Sequence, residues 1–183
     1  MKKLLALLVS VVLLVLCAAP GFAADPFSGM LTYEESQYRV GYDMVPGEYV
    51  LLATTDFSGY FCVSSDALGN KIICNELFDV NSIVTVRTGE YIELSRCIAI
   101  LATDFYTRYT IRTDNPGVML KVGYDIMPGT YRVTAVSGEN GYYCIYNDSR
   151  HDDIIDNDLF RGSCYITLRA GQYVILSRCY ISK

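Results

Sequence analysis

The chain states one pattern twice, and that repetition constrains its fold more than any other feature. Val40-Gly41-Tyr42-Asp43-Met44-Val45-Pro46-Gly47-Glu48-Tyr49 returns as Val122-Gly123-Tyr124-Asp125-Ile126-Met127-Pro128-Gly129-Thr130-Tyr131. The offset of 82 runs without a gap to Lys183, and about 25 of 64 aligned positions are identical. A fixed period at that similarity marks a duplicated module. The shared residues are glycines, prolines, tyrosines, cysteines and alternating aliphatics, which build scaffold rather than chemistry. Residues 1–23 read as a signal peptide, 24–37 as an N-terminal extension, 38–101 as module one, 102–119 as a linker and 120–183 as module two.

Lys2 and Lys3 precede the apolar run Leu4 to Leu16, and Gly21-Phe22-Ala23 puts small residues before a cleavage point at Ala23–Ala24. The apolar run stops at Cys17-Ala18-Ala19-Pro20, short of the roughly 18 residues a span needs, so no membrane span is expected after its removal. A lipoprotein role for Cys17 is disfavoured by the large Leu16 before it. The chain ends directly after the repeat, so free secretion is expected over wall attachment. Without Lys2 and Lys3 there are 13 basic and 20 acidic residues, a net of −7. That balance excludes nucleic acid as a partner.

The six cysteines after Cys17 are an even number in a chain expected outside the cell. Modules of this size bury little apolar area and commonly need cross-links. The repeat matches Cys62 and Cys97 to Cys144 and Cys179, so Cys62–Cys97 and Cys144–Cys179 disulfides are expected. Cys74 and Cys164 lack counterparts and either pair across the modules or stay free.

The pattern is all-β. Tyr49 to Ala53, Tyr60 to Val63, Ile83 to Val86 and Tyr91 to Leu94 are short, rich in β-branched and aromatic residues, and bounded by turn residues. Module two repeats them. The stretches from Ile72 and Ile154 fit a strand or a single helical turn, Tyr109 to Arg112 is a further strand candidate, and Pro46-Gly47 suits a type II turn. Two tandem small β-sandwiches or partly open barrels are expected, or else one pseudo-twofold sandwich.

The motif Gly-x-Asp-[Ile/Met]-x-Pro-Gly-x-Tyr, followed by Gly-Tyr-[Phe/Tyr]-Cys and by Tyr165 to Cys179, resembles a repeat in uncharacterised exported or envelope-tethered proteins of Gram-positive bacteria. In this chain Pro46 and Pro128 stand one place later than in that repeat. The resemblance implies export and a β module, and it implies no activity.

Chemistry is sparse. His151, the single histidine, has Gly69 as its repeat counterpart and reads as an exposed loop residue. The acidic loop offers Asp148, Asp152, Asp153, Asp156 and Asp158 as calcium ligands, yet Arg150 lies among them and local turn bonding explains Asp there equally. Of 16 tyrosines, those at matched repeat positions suit packing, whereas Tyr106, Tyr109, Tyr146 and Tyr180 are candidates for a binding surface. Ser95-Arg96 and Ser177-Arg178 read as exposed strand ends. The expected function is a non-catalytic binding or scaffold role at the cell surface or outside the cell, toward a cell-wall glycan or an extracellular protein. The alternative is a secreted enzyme or inhibitor with a carboxylate site.

Overall fold

The computed structural model describes residues 26–183; the expected signal peptide, its cleavage point and Cys17 lie outside the described residues. Module one contributes β1 (Thr32–Tyr33), β2 (Ser36–Arg39), β3 (Gly47–Ala53), β4 (Gly59–Ser64), β5 (Ile72–Phe78), β6 (Asn81–Val86), β7 (Tyr91–Ser95) and β8 (Cys97–Leu101). One helical turn, α1 (Ala102–Phe105), leads into module two. That module contributes β9 (Gly117–Lys121), β10 (Gly129–Ala135), β11 (Gly141–Tyr146), β12 (Ile154–Phe160), β13 (Ser163–Leu168), β14 (Tyr173–Ser177) and β15 (Cys179–Ser182).

These strands form four antiparallel sheets, none closed into a barrel: sheet I (β2-β7-β4-β5), sheet II (β1-β8-β3-β6), sheet III (β12-β11-β14-β9) and sheet IV (β13-β10-β15). Sheets I and II make the first sandwich, sheets III and IV the second. Strand alternation explains the pairing. Phe61, Val63, Ile92 and Leu94 line the inner face of sheet I and meet Tyr49, Leu51, Val84 and Ala99 of sheet II in one buried cluster. The buried Val, Leu, Ile and Phe among them each contribute about 1.5–3 kcal/mol. The ladders repeat at the sequence offset: Gly47 faces Val86 as Gly129 faces Leu168. The register slips after Val63 and again after Ile145, its counterpart.

Three sequence expectations change. First, β1 lies in the expected extension, β2 starts in it and runs into module one, and β9 starts in the expected linker and runs into module two, so the strands of both modules begin ahead of the repeat boundary. Second, Tyr109 to Arg112 forms no strand; the Asp125 carboxylate accepts the Ile111 amide at 2.6 Å in place of a ladder partner. Third, the tight turn lies ahead of Pro46-Gly47. It runs from Arg39 to Met44, where Gly41 takes φ 88° and Asp43 accepts the Arg39 amide at 3.0 Å. A Cβ on Gly41 would come within 2.8 Å of the Thr88 methyl, so the turn needs glycine for space as well as for φ.

The expected disulfides are absent among the described residues: all six cysteines there are free. Strand geometry gives the reason. Cys62 is in register with Asn75 and Glu93, both exposed, and so points out of the first sandwich. Cys97, in register with Ala53, points into it, and its thiol lies 3.5 Å from the Tyr60 carbonyl. Cys144 and Cys179 repeat this opposition, with the Cys179 thiol 3.2 Å from the Tyr142 carbonyl. A sheet therefore separates each expected pair. Cys74 packs in the core of module one and Cys164 against that of module two. Burial pushes Cys74 up to about 12 and Cys97 and Cys179 up to about 11, keeping them as inert thiols.

Candidate binding site

The modules are joined through unlike surfaces. Module two offers the outward face of sheet III, and module one offers the outward face of sheet II with β6 beside β9. Asn81 binds the Met119 backbone twice, donating from Nδ2 to the carbonyl at 2.8 Å and accepting the amide at 3.2 Å. The loop after β11 inserts Arg150, whose guanidinium forms two bonds to Glu90 at 3.0 and 3.1 Å and one to the Thr85 carbonyl at 3.1 Å. Val50, Ile83 and Ile100, on the outward face of sheet II, share one buried cluster with α1 and with module two.

At one end of this junction lies a cleft of about 540 Å³, lined among others by Pro46, Glu48, Ala102, Tyr106, Lys121 and Tyr124. Each element places its residue for a local reason. Glu48 sits on β3 just after the Pro46-Gly47 entry, and α1 carries Tyr106 off the end of β8. Tyr124 projects from the tip of the turn that Gly123 opens with φ 102°, and it is 56% exposed. Glu48 accepts the Lys121 ammonium and the Tyr173 hydroxyl. The ammonium also lies 4.6 Å from the Tyr124 ring centroid, 5.7 Å from that of Tyr173 and 5.9 Å from that of Tyr106, within cation–π range. The Tyr106 hydroxyl donates to Asp125 at 2.9 Å. Burial, then neighbouring carboxylate charge and hydrogen bonding, raises the Tyr106 phenol; burial first also raises that of Tyr173. Both remain hydroxyl donors. Glu48 already accepts two donors, so this constellation suits holding a ligand rather than moving a proton.

His151 is not an exposed loop residue. Its side chain is 12% exposed and stacks on Tyr146 with ring centroids 5.0 Å apart. Its edge faces Phe61 of module one at 6.0 Å, and its Nε2 lies 3.8 Å from Glu76. That nitrogen has no hydrogen-bond partner. Burial drives the two groups in opposite senses: Glu76 rises to about 7 despite the Ser82 hydroxyl that it accepts, and His151 falls despite Asp148 and Asp152 nearby. Ser82 bonds the carboxylate rather than the imidazole, so these three do not form a nucleophile–base–orienter relay.

The four candidate tyrosines do not share a surface. Tyr106 lines the cleft. Tyr109 packs between Phe27 and Phe105 and donates to the Pro26 carbonyl, tying the N-terminal segment to the connection between modules. Tyr146 is buried at the junction, and Tyr180 is exposed on sheet IV. The acidic residues also part company. Asp148 accepts the Arg150 amide at 2.7 Å and the Asp152 amide at 3.3 Å, while Asp153 takes the Asn147 side chain and Asp156 the Tyr143 hydroxyl. Asp158 lies exposed on β12. Among the described residues no three His, Cys, Asp or Glu side chains are placed to hold a cation.

Sequence reasoning missed Glu48, Lys121 and Tyr124, and assigned the matched Tyr124 to packing. The usable signal was polarity that differs between repeat partners. Glu48 stands against Thr130, Met119 against Gln37 and Arg150 against Leu68. Comparison with family models, with curated proteins and with solved structures finds no significant match, so function rests on the chain's own residues.

Proposed function

We propose that this chain is a non-catalytic binding or scaffold protein that acts at the cell surface or outside the cell and takes its ligand in the cleft between the modules. The cleft carries the reading. Its volume of about 540 Å³ lies within the about 300–1,000 Å³ of pockets that enclose small ligands, and it presents an exposed aromatic beside a fixed ion pair. Lys2, Lys3, the apolar run to Leu16 and the likeness to exported repeat proteins support delivery outside the cell. Retention on cell-wall fractions and on extracellular proteins tests the reading, with Tyr124→Ala as the variant because Tyr124 is exposed and its loss leaves the core intact. Binding that weakens about tenfold in Tyr124→Ala supports the cleft. Binding indifferent to that change, or no binding at all, overturns it. N-terminal sequencing of protein recovered from the medium should begin at Ala24.

The second reading, an enzyme or inhibitor with a carboxylate site, draws on the approach of His151 to Glu76 at 3.8 Å. Neither residue lines the junction cleft, and both lie between the modules behind Phe61 and Tyr146, so the binding reading has the stronger support.

A further inference from the structure

The cleft's own charges narrow what it accepts, on the reading that it is the ligand site. A cation has no place in it, because the position over the tyrosine faces is held by the Lys121 ammonium, anchored to Glu48. An anion fares no better. Lys121 is the single cation among the lining residues; Glu48 neutralises it, and Asp125 stands nearby as a further carboxylate that accepts the Lys121 amide at 2.8 Å. A purely apolar ligand would bury the Glu48–Lys121 pair, which is 18% exposed on each side, and strip water from it without replacing the hydrogen bonds. What remains is a ligand with an apolar face and many hydroxyls. A sugar ring has both: axial C–H bonds lie on an aromatic face, and its hydroxyls donate to a carboxylate while accepting from an ammonium.

We infer that the junction cleft takes a neutral, hydroxyl-rich ligand of the oligosaccharide class, stacking a sugar face on the exposed part of the Tyr124 ring that Lys121 leaves open and hydrogen-bonding across the Glu48–Lys121 pair. Thr103 and Thr107 also line the cleft; the Thr107 hydroxyl donates to the Asp104 carbonyl at 2.6 Å, which leaves its oxygen to accept. Tyr42, the repeat partner of Tyr124, is 85% exposed and has Arg39 beside it as the repeat partner of Lys121, but the hollow at Tyr42 is lined by residues 33–46 with no carboxylate from the other module, so one such two-module site per chain is expected.

Titration calorimetry on the full two-module protein tests this with three neutral tetrasaccharides (tetra-N-acetylchitotetraose, cellotetraose and mannotetraose). The cationic chitotetraose and the anionic tetragalacturonate serve as charged counterparts. Binding of at least one neutral sugar, insensitive to added salt and about tenfold tighter than either charged sugar, is the expected result. Tyr124→Ala should weaken it about tenfold, and Tyr180→Ala, on sheet IV, should leave it unchanged. Amide shift changes at Tyr124, Lys121 and Thr107 in the unaltered protein locate the site without any variant. If a charged sugar binds best, or if none binds while cell-wall or protein partners still depend on Tyr124, the ligand class is wrong and the cleft survives. If no binding depends on Tyr124, the cleft itself is wrong.

Discussion

At the seam between the modules Glu76 keeps its proton to about pH 7 because burial disfavours its carboxylate. Unfolded, it would ionise near its ordinary 4.5. Since the folded value is the higher one, the stability Glu76 contributes falls as pH rises from about 4.5 to about 7, by about 3 kcal/mol in all. His151, lowered by burial, works the other way: its contribution falls as pH drops through 6.5. The two opposing slopes overlap just below pH 6.5 and offset each other there. Urea melts from about pH 4.5 to about 7 should therefore show stability rising with pH in Glu76→Gln relative to the unaltered protein, and falling with pH in His151→Gln. Superimposable pH profiles would reject the buried pair.

The strands follow the alternation written in the sequence, and their contacts turn on single side-chain sizes. Gly59 opens β4 with the Phe78 ring so close that a Cβ would meet it at 2.7 Å, and Gly141 opens β11 against Phe160 at 2.8 Å. Each glycine lets the phenylalanine at the end of the neighbouring strand close over the sandwich. Gly59→Ala and Gly141→Ala should each destabilise by about 1–3 kcal/mol through overpacking, read as a lower urea midpoint with an unchanged slope. Gly69→Ala, whose Cβ would meet nothing within 4 Å, reports the cost of φ alone. Element existence was legible because β-branched and aromatic runs leave little choice of local structure. Element partners were not. The disulfide expectation failed because matching Cys62 with Cys97 by repeat position ignored the parity of the strands, and parity puts them on opposite sides of a sheet.

Across the whole molecule the two modules differ where their surroundings differ. Val50, Ile83 and Ile100 on sheet II are buried at the junction, whereas their repeat partners Arg132, Tyr165 and Ser182 face solvent on sheet IV. Met119 and Ile175 of sheet III have Gln37 and Glu93 as exposed partners on sheet I. The contact is heterologous, a type that propagates unless its free ends differ; here the free copy of each surface is polar, as in the capping units of repeat proteins. The protein should accordingly remain a monomer at high concentration in sedimentation. Arg150 and Glu90, with side chains 8% and 13% exposed, lock the contact. Arg150→Leu, which installs the module-one residue, should cost about 3–5 kcal/mol by leaving Glu90 buried without its partner. It should also split a single calorimetric transition into two; one unshifted transition would show that the modules unfold independently of this pair.

By itself the sequence determined the all-β class, the duplicated strand order and the polar sorting of repeat partners, because alternation and turn residues act over a few neighbours. Only the tertiary structure decided which faces meet, that His151 and Glu76 are buried together, and that Glu48, Lys121, Tyr106 and Tyr124 converge from two modules into one cleft. Those contacts join residues up to 125 positions apart, and no local pattern encodes how one sheet docks on another.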